Sequence, residues 1–132
     1  GGRGGVGLRV LVWRNVDHGV ELGGVGGFGG VYARAGLAVA DGVPVVFVNE
    51  PMFISNGENS DIRYNFFYPR WAYDDYRQLM TALSAENNWH YLDLWDSIPA
   101  SEFTNSAIHL TPDGSAQLAK LIAPAILEIA GE

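Results

Sequence analysis

Apolar positions recur along the chain in two rhythms. Leu8-Arg9-Val10-Leu11-Val12-Trp13, Val43-Pro44-Val45-Val46-Phe47-Val48-Asn49 and Trp89-His90-Tyr91-Leu92-Asp93-Leu94-Trp95 are short runs rich in β-branched and aromatic residues. They predict strands. The middle run is continuous rather than alternating, which requires burial on both faces, as in a parallel sheet flanked by helices. Proline is tolerated at its start. The second rhythm has helical spacing. Val31 to Ala40 predicts a short helix ended by Asp41-Gly42. Trp71 to Glu86 carries Ala72, Tyr76, Leu79, Met80 and Leu83 on one face, with Asp74 and Asp75 in its first turns, where the dipole favours negative charge. The last helix opens at Thr111-Pro112-Asp113, with a threonine able to N-cap and a proline suited to the first position. Its stripe runs from Ala116 to Ile129, and Pro124 inside it predicts a kink or an early break. Strand, helix, strand, helix, strand, helix predicts an α/β protein with a mostly parallel sheet. Three strands are few for that architecture, so an incomplete sheet is expected.

Between these elements lie two irregular connections. Residues 50 to 70 form a loop longer than a compact domain needs, and such loops are usually functional. Its aromatic run Tyr64, Phe66, Phe67 and Tyr68 either lines a pocket or pins the loop to the core. Residues 96 to 110 join the third strand to the last helix.

Composition divides the chain near residue 30. Most of its 17 glycines fall in residues 1–30, which form a glycine-rich, poorly defined segment, while residues 31–132 carry the regular α/β pattern. With 48% hydrophobic residues the chain can build a core. Eight Lys and Arg against 15 Asp and Glu leave a net charge of −7, which argues against nucleic-acid partners. No apolar run approaches the twenty or so residues that span a bilayer, so no membrane segment is expected in this chain. No charged segment leads into an apolar one with a cleavage site. The absence of cysteine excludes disulfides and thiolate chemistry and leaves the compartment unknown, with cytoplasm and secretion both open.

The candidate chemistry narrows to one place. Gly24-Val25-Gly26-Gly27-Phe28-Gly29 fits the dinucleotide-binding pattern, with Glu50 placed as a ribose-binding acid. That pattern needs a strand running directly into its first glycine, and here His18 to Gly23 intervene, so a glycine loop is the preferred reading. His18, His90 and His109 lack metal-ligand spacing, so no metal and no cofactor are expected. Asp74-Asp75 and the Asp93/Asp96 pair read as helix-start and strand positions rather than paired catalytic carboxylates. His109 lies at the carboxyl end of the predicted sheet, where open α/β proteins place their ligands. An imidazole there suits a general base, and equally a loop residue that supports the helix start.

The block Ile108-His109-Leu110-Thr111-Pro112-Asp113-Gly114, after the strand Tyr91 to Trp95, resembles the last conserved block of the SGNH (GDSL-like) hydrolases. Val43 to Pro51 resembles a strand and loop that precede it, so the likeness covers about residues 31 to 130. It implies a flavodoxin-like three-layer α/β/α sandwich, here incomplete, acting on the ester acyl group of a small-molecule or carbohydrate substrate. His109 would be the base for a serine nucleophile. The family's Gly-Asp-Ser block is absent, so the serine is expected outside this chain. The family's aspartate position holds Ser106, and the adjacent Asn105 is the nearest carboxylate isostere; Asp96 and Glu102 are the alternative acids. By position Asn15 is the oxyanion-hole candidate, and Asn49 and Glu50 would shape the pocket. A non-catalytic α/β binding or scaffold domain with a degenerate triad is the alternative, and a nucleotide-binding domain is third. An exposed sheet edge or face would favour self-association.

Overall fold

A computed structural model describes residues 9–13 and 44–131 of the chain. Three parallel strands form one sheet in the order β1 (Arg9–Trp13), β2 (Val45–Asn49), β3 (His90–Asp93). Arg9 pairs with Val45 at one end of the first ladder and Trp13 with Asn49 at the other; Val46 to Asn49 pair with His90 to Asp93. The central strand is buried at all five positions, as its unbroken apolar run requires. It starts two residues later than its apolar run, with Pro44 exposed before it. β3 is likewise shorter than its aromatic flanks suggested, and a bond from Leu94 N to Asn49 O (3.0 Å) carries the ladder one step further.

Helix α1 (Arg70–Asn87) follows the long loop and packs against β3. It starts one residue before the expected Trp71, and Asp74 and Asp75 consequently lie beyond its first turn, so the dipole does not account for them. Its buried residues are Ala72, Tyr73, Tyr76, Met80 and Ser84. It ends at Asn88 in the left-handed conformation (φ 55°), which asparagine tolerates, with Asn88 N–H donating to Ser84 O. Tyr76 and Met80 pack on Val45 and Phe47, flanked by Trp89 and Tyr91. A second cluster of Met52, Tyr64, Tyr68 and Tyr73, flanked by Ile54 and Trp95, sits toward the carboxyl end of the sheet.

Helix α2 (Pro112–Ile129) is capped as expected: Gly114 N–H donates to Thr111 Oγ1 at 3.0 Å, Pro112 sits at the start and Asp113 in the first turn. Of the kink or early break expected at Pro124, the break does not occur. The helix continues to Ile129, since a proline removes a single N–H donor and the turns on either side hold the element together. Gly114 is its one fully buried residue, Leu118, Ile122 and Ile126 are half-covered, and Leu121 and Leu127 are exposed. The glycine-rich segment and the helix expected over 31–40 lie outside the described residues. Among the described residues no helix is long and apolar enough to cross a membrane.

Candidate functional site

All three strands point their carboxyl ends to one edge, where Asn49 and Asp93 hand the chain to two long loops. The first, residues 50–69, is stitched to the second. Met52 N donates to Trp95 O at 3.0 Å and Phe53 N to Ala107 O at 2.8 Å. The first loop then folds on itself: Ser55 N bonds Tyr64 O (2.7 Å), Tyr64 N bonds Tyr68 O (2.9 Å), and Ile62 N and Arg63 N both donate to Asn59 O (3.1 Å). Asn59 makes this turn with φ 65°, in the region asparagine visits more readily than most side chains. Buried Asn65 ties the fold together, donating to Phe53 O at 2.7 Å and accepting from Phe67 N at 2.9 Å.

The aromatic run divides by its hydrogen bonding and packing. Tyr64 and Tyr68 turn inward against Tyr73 and Trp95, while Phe66 stays 79% exposed. Arg70 lies over the Tyr64 ring (4.5 Å) and Arg77 over Trp95 (4.4 Å).

Beneath the loops a chain of polar groups crosses the sheet edge. Tyr73 donates to Asn49 Oδ1 (3.2 Å), and Asn49 Nδ2 donates to Asp93 Oδ1 (2.9 Å). Asp93 Oδ2 takes both Arg77 Nε (2.9 Å) and Arg77 Nη2 (2.8 Å). Burial pushes the Tyr73, Tyr76 and Tyr91 phenols above their ordinary range. The Tyr64 phenol is also raised, by burial and then by its hydrogen bond to Asp74. Asn49 is 1% exposed, with its carboxamide engaged by Tyr73 and Asp93; half-buried Glu50 follows it. This network joins residues distant in sequence, and only the polar Asn49 and Asp93 at strand ends hinted at it.

The second loop carries His109 on a tight hairpin. An isolated bridge pairs Phe103 with Leu110, and His109 O accepts from both Thr104 N (2.9 Å) and Thr104 Oγ1 (3.2 Å). Below it, Thr111 N donates to Glu102 O (2.8 Å) and Thr111 Oγ1 to Glu102 Oε2 (3.1 Å), which commits that carboxylate to the helix start. Ser106 Oγ accepts from Ile108 N at 3.3 Å. Asp96 is exposed. The imidazole of His109 is exposed and makes no hydrogen bond with a carboxylate among the described residues. Asn15 lies outside the described residues.

The two loops line an open pocket of about 260 Å³. Phe53, Glu58, Arg63 and Phe66 form one side, and residues 104–107, Asn105 included, form the other. Asn105 therefore lines the pocket four residues before His109, while Asn49 is not among the residues lining it. Phe66 comes from the aromatic run read as lining a pocket or pinning the loop, and it lines this one; Arg63 and Phe53 were not singled out, because what brings them to Asn105 is the hydrogen bond from Phe53 N to Ala107 O. Among the described residues no group of His, Asp and Glu is arranged to hold a metal ion.

Two solved structures share the fold. One, from Bacteroides fragilis and named as an acylhydrolase, matches over 77% of this chain and 50% of its own, with a TM-score of 0.53 and 21% identity. The other, a GDSL-like lipase from Bacteroides thetaiotaomicron, matches over 77% of this chain and 51% of its own, with a TM-score of 0.51 and 16% identity. The chain is thus similar in fold to GDSL-like lipase and acylhydrolase structures, and spans about half the length of each. No protein-family profile and no curated protein matches it.

Proposed function

We propose that residues 31–132 are the C-terminal part of an SGNH-type hydrolase domain, a flavodoxin-like three-layer sandwich that cleaves or transfers an ester acyl group. His109 acts as the general base for a serine hydroxyl that this chain does not supply in a Gly-Asp-Ser block, and residues 1–30 form a separate glycine-rich segment. The observation that carries this reading is the placement of His109. It sits on a hairpin after the last parallel strand, just before a capped helix, two residues beyond the segment 104–107 that walls a pocket, and does not itself line that pocket. In this reading Asn105 takes the place nearest to an acid, Asn15 that of an oxyanion donor, and Asn49 and Glu50 shape the substrate site from the end of β2.

Hydrolysis of p-nitrophenyl acetate by the protein extended at its N-terminus tests this. His109→Ala is expected to lower the rate by about two to four orders of magnitude, the usual contribution of a positioned base. Equal rates for the two proteins would overturn it. Ser106 at the acid position supports a second reading, a non-catalytic ligand-binding domain of the same fold. It predicts thermal stabilisation by acetylated sugars with no ester turnover.

A further inference from the structure

The pocket between the loops holds two charged side chains, and neither is used by the fold. Of the arginines whose side chains are described, Arg77 is paired with Asp93 and stacked on Trp95, and Arg70 donates to Ser60 O and stacks on Tyr64. Arg63 makes no side-chain hydrogen bond or ion pair with any described residue, although its backbone is fixed by the Asn59 turn and by a bridge to Pro69. Glu58 lines the same pocket without bridging to it. In a chain of net charge −7, an exposed guanidinium that lines a pocket and forms no ion pair with a described residue is available to a ligand. Its planar fork matches a carboxylate with two parallel hydrogen bonds.

We propose that this pocket binds a pyranose carrying a carboxylate, a uronic-acid unit of an acylated carbohydrate, with Arg63 gripping the carboxylate and Glu58 accepting from ring hydroxyls. This rests on the esterase reading only for what happens to the acyl group; the binding step stands apart from it. Three features favour that ligand. The two charges are separate poles, so a ligand offering both an oxyanion and hydroxyl donors satisfies both. At about 260 Å³ the pocket lies below the roughly 300–1,000 Å³ that enclose a drug-sized molecule, which suits a single ring. Phe53 and Phe66 give it apolar walls, and Phe66, 79% exposed, leaves ring surface open for a sugar to lie against.

The full-length protein is titrated with glucuronate and with glucose by calorimetry, and its kcat/KM is measured on acetyl esters of the same two sugars. Binding is expected to favour glucuronate by about tenfold to a hundredfold, the range of a charge-assisted fork. Arg63→Gln is expected to abolish that ratio, and Arg63→Lys to restore part of it by returning the charge without the fork. Equal binding of the two sugars, or a preference that survives in Arg63→Gln, overturns the proposal. If p-nitrophenyl acetate is cleaved in a His109-dependent way while the ratio is one, the uronate assignment fails and the esterase reading stands. If no ester is cleaved while glucuronate binds through Arg63, the reverse holds.

Discussion

Replacing Asn49 by alanine tests whether its carboxamide is a structural link between α1 and β3. The side chain is 1% exposed, accepts from Tyr73 and donates to Asp93. Truncation leaves the Tyr73 hydroxyl buried without that acceptor, at a cost of about 1–3 kcal/mol. Asp93 loses a hydrogen bond to a charged group, worth about 1.5–3 kcal/mol. The Asp93 side chain is 22% exposed and keeps Arg77, so water replaces part of the second loss. A total of about 3 kcal/mol is expected, a large share of the stability of a small domain. Urea denaturation followed by circular dichroism reads it as a lower midpoint with an unchanged slope. Asn49→Asp separates the two halves of the argument: it keeps an acceptor for Tyr73 but sets an anion beside Asp93. Its deficit against the wild type is expected to shrink as pH falls and one of the paired carboxyls takes up a proton. A loss below about 1 kcal/mol for Asn49→Ala, against the cost of an orphaned buried hydroxyl, refutes the linkage.

The loss of ester turnover in His109→Ala and the loss of sugar selectivity in Arg63→Gln are the two functional expectations set out above. Gly114→Ala is expected to destabilise, because the new Cβ would lie 3.0 Å from both Glu102 Cβ and Glu102 O and 3.2 Å from Leu110 Cβ. The overpacking costs about 1–3 kcal/mol and outweighs a helix-propensity gain of about 1 kcal/mol, giving a lower Tm. Alkaline pH is expected to unfold the protein through its phenols. Tyr73, Tyr76 and Tyr91 titrate above their usual value when folded, so the folded chain holds protons that the unfolded chain releases. Stability is then undiminished below about pH 10 and falls above it, with tyrosinate absorbance rising together with the loss of helix signal. Tyrosinate formation complete before any unfolding would refute this.

The legible parts of the fold were those set by local pattern. Five consecutive buried positions in β2 leave an apolar run that nothing else explains, and Thr111-Pro112-Asp113 announces a helix start whether or not its partners are known. Tyr73 illustrates the opposite case. The expected α1 stripe left it out, yet its ring is buried because its hydroxyl has an acceptor in Asn49, and that acceptor arrives from another element. Asp74 and Asp75 show the same limit. One residue of shift in the helix start moves Asp74 out of the first turn and Asp75 further from it, and Asp74 instead receives the Tyr64 hydroxyl. The pocket was out of reach for a related reason. His109 and Asn105 could be placed on a functional edge from element order alone, but the first loop reaches Asn105 through the bond from Phe53 to Ala107, between loop segments whose sequences have no repeating register.

The position of His109 is itself a consequence of packing two turns away. Gly114 has no side chain, so the backbone of Glu102 lies directly on the first turn of α2. From there Glu102 takes both the N–H and the hydroxyl of Thr111, which sets the register that pairs Phe103 with Leu110 and Thr104 with His109. The imidazole is thereby delivered to the loop edge by bonds to its backbone, with no bond to the ring itself among the described residues. A carboxylate three residues earlier would add a direct, charged hold on the ring, but the residue there is Ser106, whose uncharged Oγ accepts from the N–H of Ile108. In the serine-protease template, replacing the acid by an amide costs about four orders of magnitude in turnover although the geometry survives. A site built this way can keep the histidine in place and still be slow, so position and activity must be measured separately. That is why the sugar-binding ratio and the ester rate are independent readouts of the same pair of loops.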